Sequence, residues 1–373
     1  MRNAIQAGPG EAKTARAPSL AEVLLMFTTA GGLYLLAVCR VENFWDVSIR
    51  WGDNAAYLDI CSIIRNWQIP GVARPSFFWG LPYTIVGVAT LLRIPDLTAL
   101  VVISALSSLL LCIWVQRLYG GWVAATLFLF INYRWIFISL DGGSEPLFMC
   151  LLYLSFVLAR RERWSLAALV AALSTTVRPV GIFALVSFAA VLAMRRELRQ
   201  ISTVALLGSA VGVAYAIPVW LIVGNPLANL VNYREYWGPH GFPVTYPFVA
   251  IISSFPTHDM HWPVVGLSVL WVTVALASLA AMWLPRYRDK FRPYPAETLF
   301  ATIYVAFILS YSYDEVFLDL PRFLLPVFPL LLYSLSRWIP KNRRFVWGSV
   351  ILSALLASAA MVGFRNVFGF KLP

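Results

Sequence analysis

Charge is scarce in this sequence. Acidic and basic residues together fill 13% of 373 positions, against 60% for hydrophobic residues. A soluble globular domain carries about twice that share of charge, so the composition excludes one. Cysteine is sparse as well. Cys39, Cys61, Cys112 and Cys150 lack CxxC spacing, which argues against a cysteine metal site and against a disulfide framework. Histidine occurs only at His240, His258 and His261. The His258-xx-His261 spacing with Asp259 between is compatible with a metal, but an isolated HxxH is a weak signal. No sequence repeat is visible, and no polar stretch is long enough for a soluble domain.

What the chain does have is apolar runs of membrane-spanning length, recurring from Ser19 to Gly363. They predict an all-α polytopic membrane protein. The expected spans are 19–39, 96–116, 119–138, 146–159, 165–177, 180–194, 202–223, 263–284, 297–312, 322–337 and 346–364. That is about 11 spans, with 10 to 12 compatible with the pattern. Residues 1–18 read as a cytoplasmic tail, 19–340 as the transmembrane module, and 341–373 as a cytoplasmic loop, a last span and a short external tail. Gly208-xxx-Gly212 reads as a site of close helix packing.

The net charge of +11 invites a nucleic-acid reading, yet no contiguous basic face with interleaved aromatics exists. The basic residues instead cluster between apolar runs, as in Arg160–Arg161–Arg163, Arg195–Arg196–Arg199 and Arg286–Arg288–Lys290–Arg292. The positive-inside rule makes that side cytoplasmic, along with the N-terminus. Most acids, and all three histidines, then fall on the opposite, outer side. A multi-pass protein of the cytoplasmic membrane with its polar chemistry outside is the expectation.

Four polar segments interrupt the apolar pattern. "RWGDNAAYLDICSIIRNW", residues 50–67, places Tyr57, Ile60, Cys61, Ile64 and Trp67 on one helical face. It reads as an amphipathic juxtamembrane helix on the outer surface. Asp53 at its first turn is either an N-cap or a reactive carboxylate. "VARPSFFWGLPY" carries Arg74 before Pro75, where a basic residue either snorkels to headgroups or holds a phosphate. "SLDGGSEPLF" joins a glycine pair to Asp141 and Glu145, which either cap the following helix or line a polar pocket. "STTVRPVG" breaks a long apolar stretch at Arg178, which snorkels, pairs with an acid or serves function. A later "DLPRFLLPVFPLLL" sets Arg322 between Pro321 and Pro326 at the start of a span. The loop 224–262 is rich in rings, Trp237 among them, which either anchor at the interface or stack on a ligand.

In their order and topological side these segments, with the cytoplasmic "RRERW", resemble integral membrane glycosyltransferases of the GT-C fold. The resemblance covers about residues 19–340 and is nearest the polyprenyl-phosphate-sugar-dependent group. That group includes the lipid A aminoarabinose transferase and bacterial relatives of protein and lipid mannosyltransferases. It implies a sugar donor on a polyprenyl-phosphate carrier, a lipid, glycan or protein acceptor, and no nucleic acid. By the same resemblance Asp53 is the catalytic base and Arg74 contacts the carrier phosphate, with Arg178 and Arg322 as further phosphate candidates. Glu145 falls in the sugar or acceptor pocket, with Asp141, Tyr57 and Trp237 as further candidates there. Two departures stand out. Asp53 is followed by Asn54 where many relatives pair two acids, and Ala73 precedes Arg74 where the aminoarabinose transferase has a metal-binding acid. A divalent metal is therefore an open alternative to a metal-free site. The rival class is a transporter or flippase of lipid-linked sugars, which would show repeats or matched broken helices in two halves.

Overall fold

The computed structural model describes residues 16–41, 43–50, 53–67, 77–128, 132–229, 231, 248, 262–285, 291–310, 320–336 and 341–362. Every regular element among them is helical. In chain order they are α1 (Leu20–Val41), α2 (Phe44–Arg50), α3 (Asn54–Asn66), α4 (Gly80–Leu92), α5 (Asp96–Tyr119), α6 (Gly121–Thr126), α7 (Arg134–Asp141) and α8 (Glu145–Arg160). Next come α9 (Trp164–Val177), α10 (Ile182–Met194), α11 (Leu198–Val223), α12 (Trp262–Trp283), α13 (Pro295–Leu309), α14 (Leu320–Phe323), α15 (Phe328–Ser334) and α16 (Arg343–Val362). Arg74, Trp237 and the His258–His261 pair lie outside the described residues, as does most of the ring-rich loop.

Four helices are long and apolar enough to cross a membrane: Leu20–Val41, Asp96–Tyr119, Leu198–Val223 and Arg343–Ala360. A fifth crossing results if α7 and α8, bent by 101° at a short break, count as one span. Shorter apolar helices, such as α4, α9 and α13, pack among them. A bundle of this kind satisfies its backbone internally, which lipid requires. Length and composition thus make this a membrane protein, with four to five full-length spans among the described residues.

One face of α1, running through Val23, Met26, Ala30, Tyr34 and Val38, is buried against α5, α7 and α16. Leu25, Leu33 and Leu36 on its other side are exposed, as expected of a lipid-facing stripe. In α11 only Val204 and Val219 are buried, which sets it at the margin of the bundle beside α9 and α10. Of the glycine pair on α11, Gly208 alone makes a close approach. A Cβ there would lie 3.3 Å from Leu185 Cδ1, whereas Gly212 faces open space.

Two segments differ from the sequence reading. The stretch 119–138 is not one helix: α6 ends at Thr126, and turns occupy the described residues on both sides of 129–131 before α7 begins. In α3 the buried face is Asn54, Tyr57, Ile60, Cys61 and Ile63. Trp67 leaves that face because the helix stops there, in left-handed backbone (φ 52°), with the indole 60% exposed. Arg160, read from sequence only as part of a basic cluster, is also a strut between α8 and α13. Its Nε lies 2.8 Å from Glu297 Oε1 and its guanidinium sits 3.7 Å from the centre of the Tyr294 ring.

Candidate active site

Helix breaks bring the site together. Pro179 disfavours helical backbone at the residue before it, and Arg178 is extended there (φ −141°, ψ 128°). The α9–α10 hairpin closes tightly, since a Cβ on Gly181 would lie 2.6 Å from Ser174 Oγ. In "DLPRFLLPVFPLLL" the prolines divide the expected span into α14, a 3-10 turn over Leu325–Val327 and α15. Arg322 therefore sits on a four-residue helix that packs against α7. Between α7 and α8, Gly142 (φ 113°) and Gly143 (φ 135°) take backbone that only glycine adopts readily. A Cβ on Gly143 would come within 3.0 Å of Glu145 Oε2, so that glycine also makes room for the carboxylate.

These breaks converge on a chain of four charges. Arg322 Nη2 donates to Asp53 Oδ2 at 2.7 Å, and Arg322 Nε donates to Glu145 Oε1 at 2.5 Å. Arg178 Nη1 lies 2.8 Å from the same Glu145 oxygen. The signs alternate along Asp53, Arg322, Glu145 and Arg178, so the cluster is neutral as a whole. The middle is sealed and the ends are reachable. Side-chain exposure is 0% for Glu145 and 6% for Arg322, but 22% for Asp53 and 19% for Arg178. Buried charges of this kind are tolerated when each is paired.

Asp53 caps nothing. Its carbonyl accepts the first helical bond, from Tyr57 N at 3.0 Å, while its carboxylate makes no capping bond and turns to Arg322. One turn along α3, Tyr57 is 4% exposed and lies within electrostatic reach of Asp53, Arg178 and Glu145. Burial, and after it the Asp53 charge, push its phenol above the usual range, so it remains a neutral hydroxyl.

The carboxylate of Asp141 does not join the charge chain. It is fully buried at the end of α7, where its Oδ2 accepts from the Tyr34 hydroxyl of α1. Its backbone carbonyl does touch the site, accepting from Asn54 Nδ2 at 2.9 Å.

Two residues that the sequence reading passed over are also here. Arg134, at the start of α7, is 7% exposed and within electrostatic range of Arg322. An arginine inside an apolar run was the available signal for it. Tyr304 of α13 donates to the Phe323 carbonyl at 2.6 Å and stands near Arg178 and Glu145. Nothing in its local sequence marks it.

For a metal, the described residues offer no ready donor set. Among the described residues no group of three or more His, Cys, Asp and Glu could hold one. Asp53 and Glu145, the acids of the charge chain, are both engaged by Arg322.

No sequence family matches the chain, and no curated protein does. A solved structure does. ArnT from Cupriavidus metallidurans, bound to undecaprenyl phosphate, superposes with a TM-score of 0.56 over 94% of this chain and 79% of that one, at 15% identity. An identity that low speaks to the fold, and the chain shares the fold of ArnT, the GT-C fold that its sequence resembles.

Proposed function

We propose that the protein is a glycosyltransferase that moves a sugar from a polyprenyl-phosphate carrier to an acceptor hydroxyl on the external side of the membrane. The observation that carries this reading is the charge chain itself. Two arginines, for a departing phosphate, and an accessible carboxylate, for a proton, are joined through one buried glutamate. The undecaprenyl phosphate bound by ArnT, whose fold this chain shares, supports a carrier of that class.

The chemistry asks for little more. The acceptor oxygen attacks the anomeric carbon while the bond from that carbon to the phosphate oxygen breaks. The bonding electrons leave with the phosphate, and the hydroxyl proton passes to Asp53. One direct displacement inverts the anomeric centre. Arg322 and Arg178 stabilise the charge that grows on the leaving phosphate, in a site where water is scarce. Glu145 keeps the two guanidiniums together, which like charges alone would not do. Its complete burial makes it a holder of the arginines more than a contact for the sugar. The phosphate and Asp53 compete for Arg322 Nη2, so an arriving donor frees the carboxylate to face the acceptor hydroxyl. Tyr57, as a neutral hydroxyl beside Asp53, can hydrogen-bond sugar or acceptor. No step runs through a metal.

The test is a transfer assay with purified protein and a panel of undecaprenyl-phosphate-linked hexoses and pentoses in vesicles. Release of free undecaprenyl phosphate with appearance of a glycosylated acceptor is the expected result. Movement of an unchanged lipid-linked sugar between leaflets, without release, would make the protein a flippase and overturn the proposal.

A further inference from the structure

Asn54 follows the reachable carboxylate and is fully buried. Its side-chain amide donates to two backbone carbonyls from two different elements: Ser48 O of α2 at 2.8 Å and Asp141 O at the end of α7 at 2.9 Å. The orientation of the amide follows from these partners, since a flipped amide would set its oxygen against two carbonyl oxygens. The seat is shaped for it. A Cβ on Gly142 would come within 2.9 Å of Asn54 Nδ2, so the first glycine of "DGGSE" leaves space for the amide as well as turning the chain.

These contacts tie together the parts that carry the charges. Asn54 opens α3, whose preceding residue is Asp53. Asp141 and Gly142 form the break that leads to Glu145. Arg322 reaches across to both acids. The clamp thus acts on the turn that bears Asp53, beside the carboxylate's own bond to Arg322.

We infer that Asn54 is a positioning residue. Seated over Gly142 and donating to the Ser48 and Asp141 carbonyls, it sets the Asp53 carboxylate at its place relative to Arg322 and Glu145. An acid at position 54 cannot do this, because an ionised carboxylate only accepts hydrogen bonds and would face two carbonyl oxygens. Serine can keep one of the two bonds. The inference rests on the proposed role of Asp53 as base, and its experiment separates the two.

Two readouts are taken on full-length protein in lipid nanodiscs: undecaprenyl phosphate affinity, and turnover with the undecaprenyl-phosphate-sugar panel. Asn54→Ala is expected to lower kcat by roughly 10²-fold, the scale of a misplacement of about 1 Å, while affinity for undecaprenyl phosphate stays close to wild type. Asn54→Ser should fall between Ala and wild type, and Asn54→Asp should be the worst of the series. In an Asp53→Asn background, Asn54→Ala should cost nothing further, because it acts through that carboxylate. A full additional loss there would overturn the inference, as would wild-type turnover for Asn54→Ala. It would also fail if Asn54→Ala and Asn54→Ser both do not fold, since Asn54 would then be needed for folding alone. Wild-type turnover for Asp53→Asn would instead overturn the base assignment. The clamp would then stand or fall on whether Asn54→Asp unfolds at lower temperature than Asn54→Ala.

Discussion

Arg322 holds Asp53 and Glu145 at once, with Nη2 on the first at 2.7 Å and Nε on the second at 2.5 Å. One planar guanidinium thus spans acids that lie 269 and 177 residues away in the chain. It is buried, while the Asp53 end of the pair remains open to solvent.

A lysine cannot replace this fork. Its single ammonium lacks the fixed geometry that serves both carboxylates. Arg322→Lys is expected to lose about as much donor affinity and turnover as Arg322→Ala. Arg178 makes one ion pair in the cluster, to Glu145, so Arg178→Lys should keep more function than Arg178→Ala. Donor titrations and steady-state rates on the four variants check the contrast.

Stability and turnover should separate along the chain of charges. Glu145 is sealed between two guanidiniums, and removing one member of a buried ion pair costs about 3–5 kcal/mol. Glu145→Gln should therefore unfold well below wild type in a denaturation series in detergent. Asp53→Asn sits at the reachable end and should unfold near wild type.

Tyr34→Phe removes the hydroxyl that the buried Asp141 carboxylate accepts from. The loss should be about 1–3 kcal/mol of stability, the range for stranding a buried polar group. Affinity for undecaprenyl phosphate should hold, because Asp141 makes no contact with either arginine among the described residues. Thermal unfolding and lipid binding on the same preparation test both halves.

Orientation has its own check. Reporters fused after Arg163, Arg199 or Lys290 should read cytoplasmic, and one within 224–262 should read external. An external signal after Arg199 would reverse the sides and move the charge chain to the cytoplasmic face.

The sequence exposed the breaks better than it exposed the contacts. Asp53, Glu145, Arg178 and Arg322 each stood out as polar residues beside glycine or proline at the end of an apolar run. That Arg322 joins Asp53 to Glu145 was not legible, because pairing over such separations depends on how the whole bundle packs. Asn54 looked like a missing second acid, and only its two carbonyl partners reveal a clamp. Asp141 and Glu145 looked alike in "DGGSE", yet the turn sends one to Tyr34 and the other to the arginines. The periodicity of α3 placed Tyr57, Ile60 and Cys61 on the buried face, but it carried on to Trp67 because no local signal marked the left-handed end. Span 119–138 read as continuous because its apolar composition hides the turns flanking residues 129–131.

In the proposed reaction the Asp53 carboxylate takes the acceptor's proton. The most direct test of this is the rate of undecaprenyl phosphate release by purified Asp53→Asn protein at saturating undecaprenyl-phosphate-sugar. Asparagine keeps the size of the side chain and an oxygen that can accept from Arg322 Nη2, but it cannot take a proton. A rate roughly 10²–10⁴-fold below wild type, with an unchanged unfolding midpoint, is expected. A folded Asp53→Asn protein that releases undecaprenyl phosphate at the wild-type rate would contradict it.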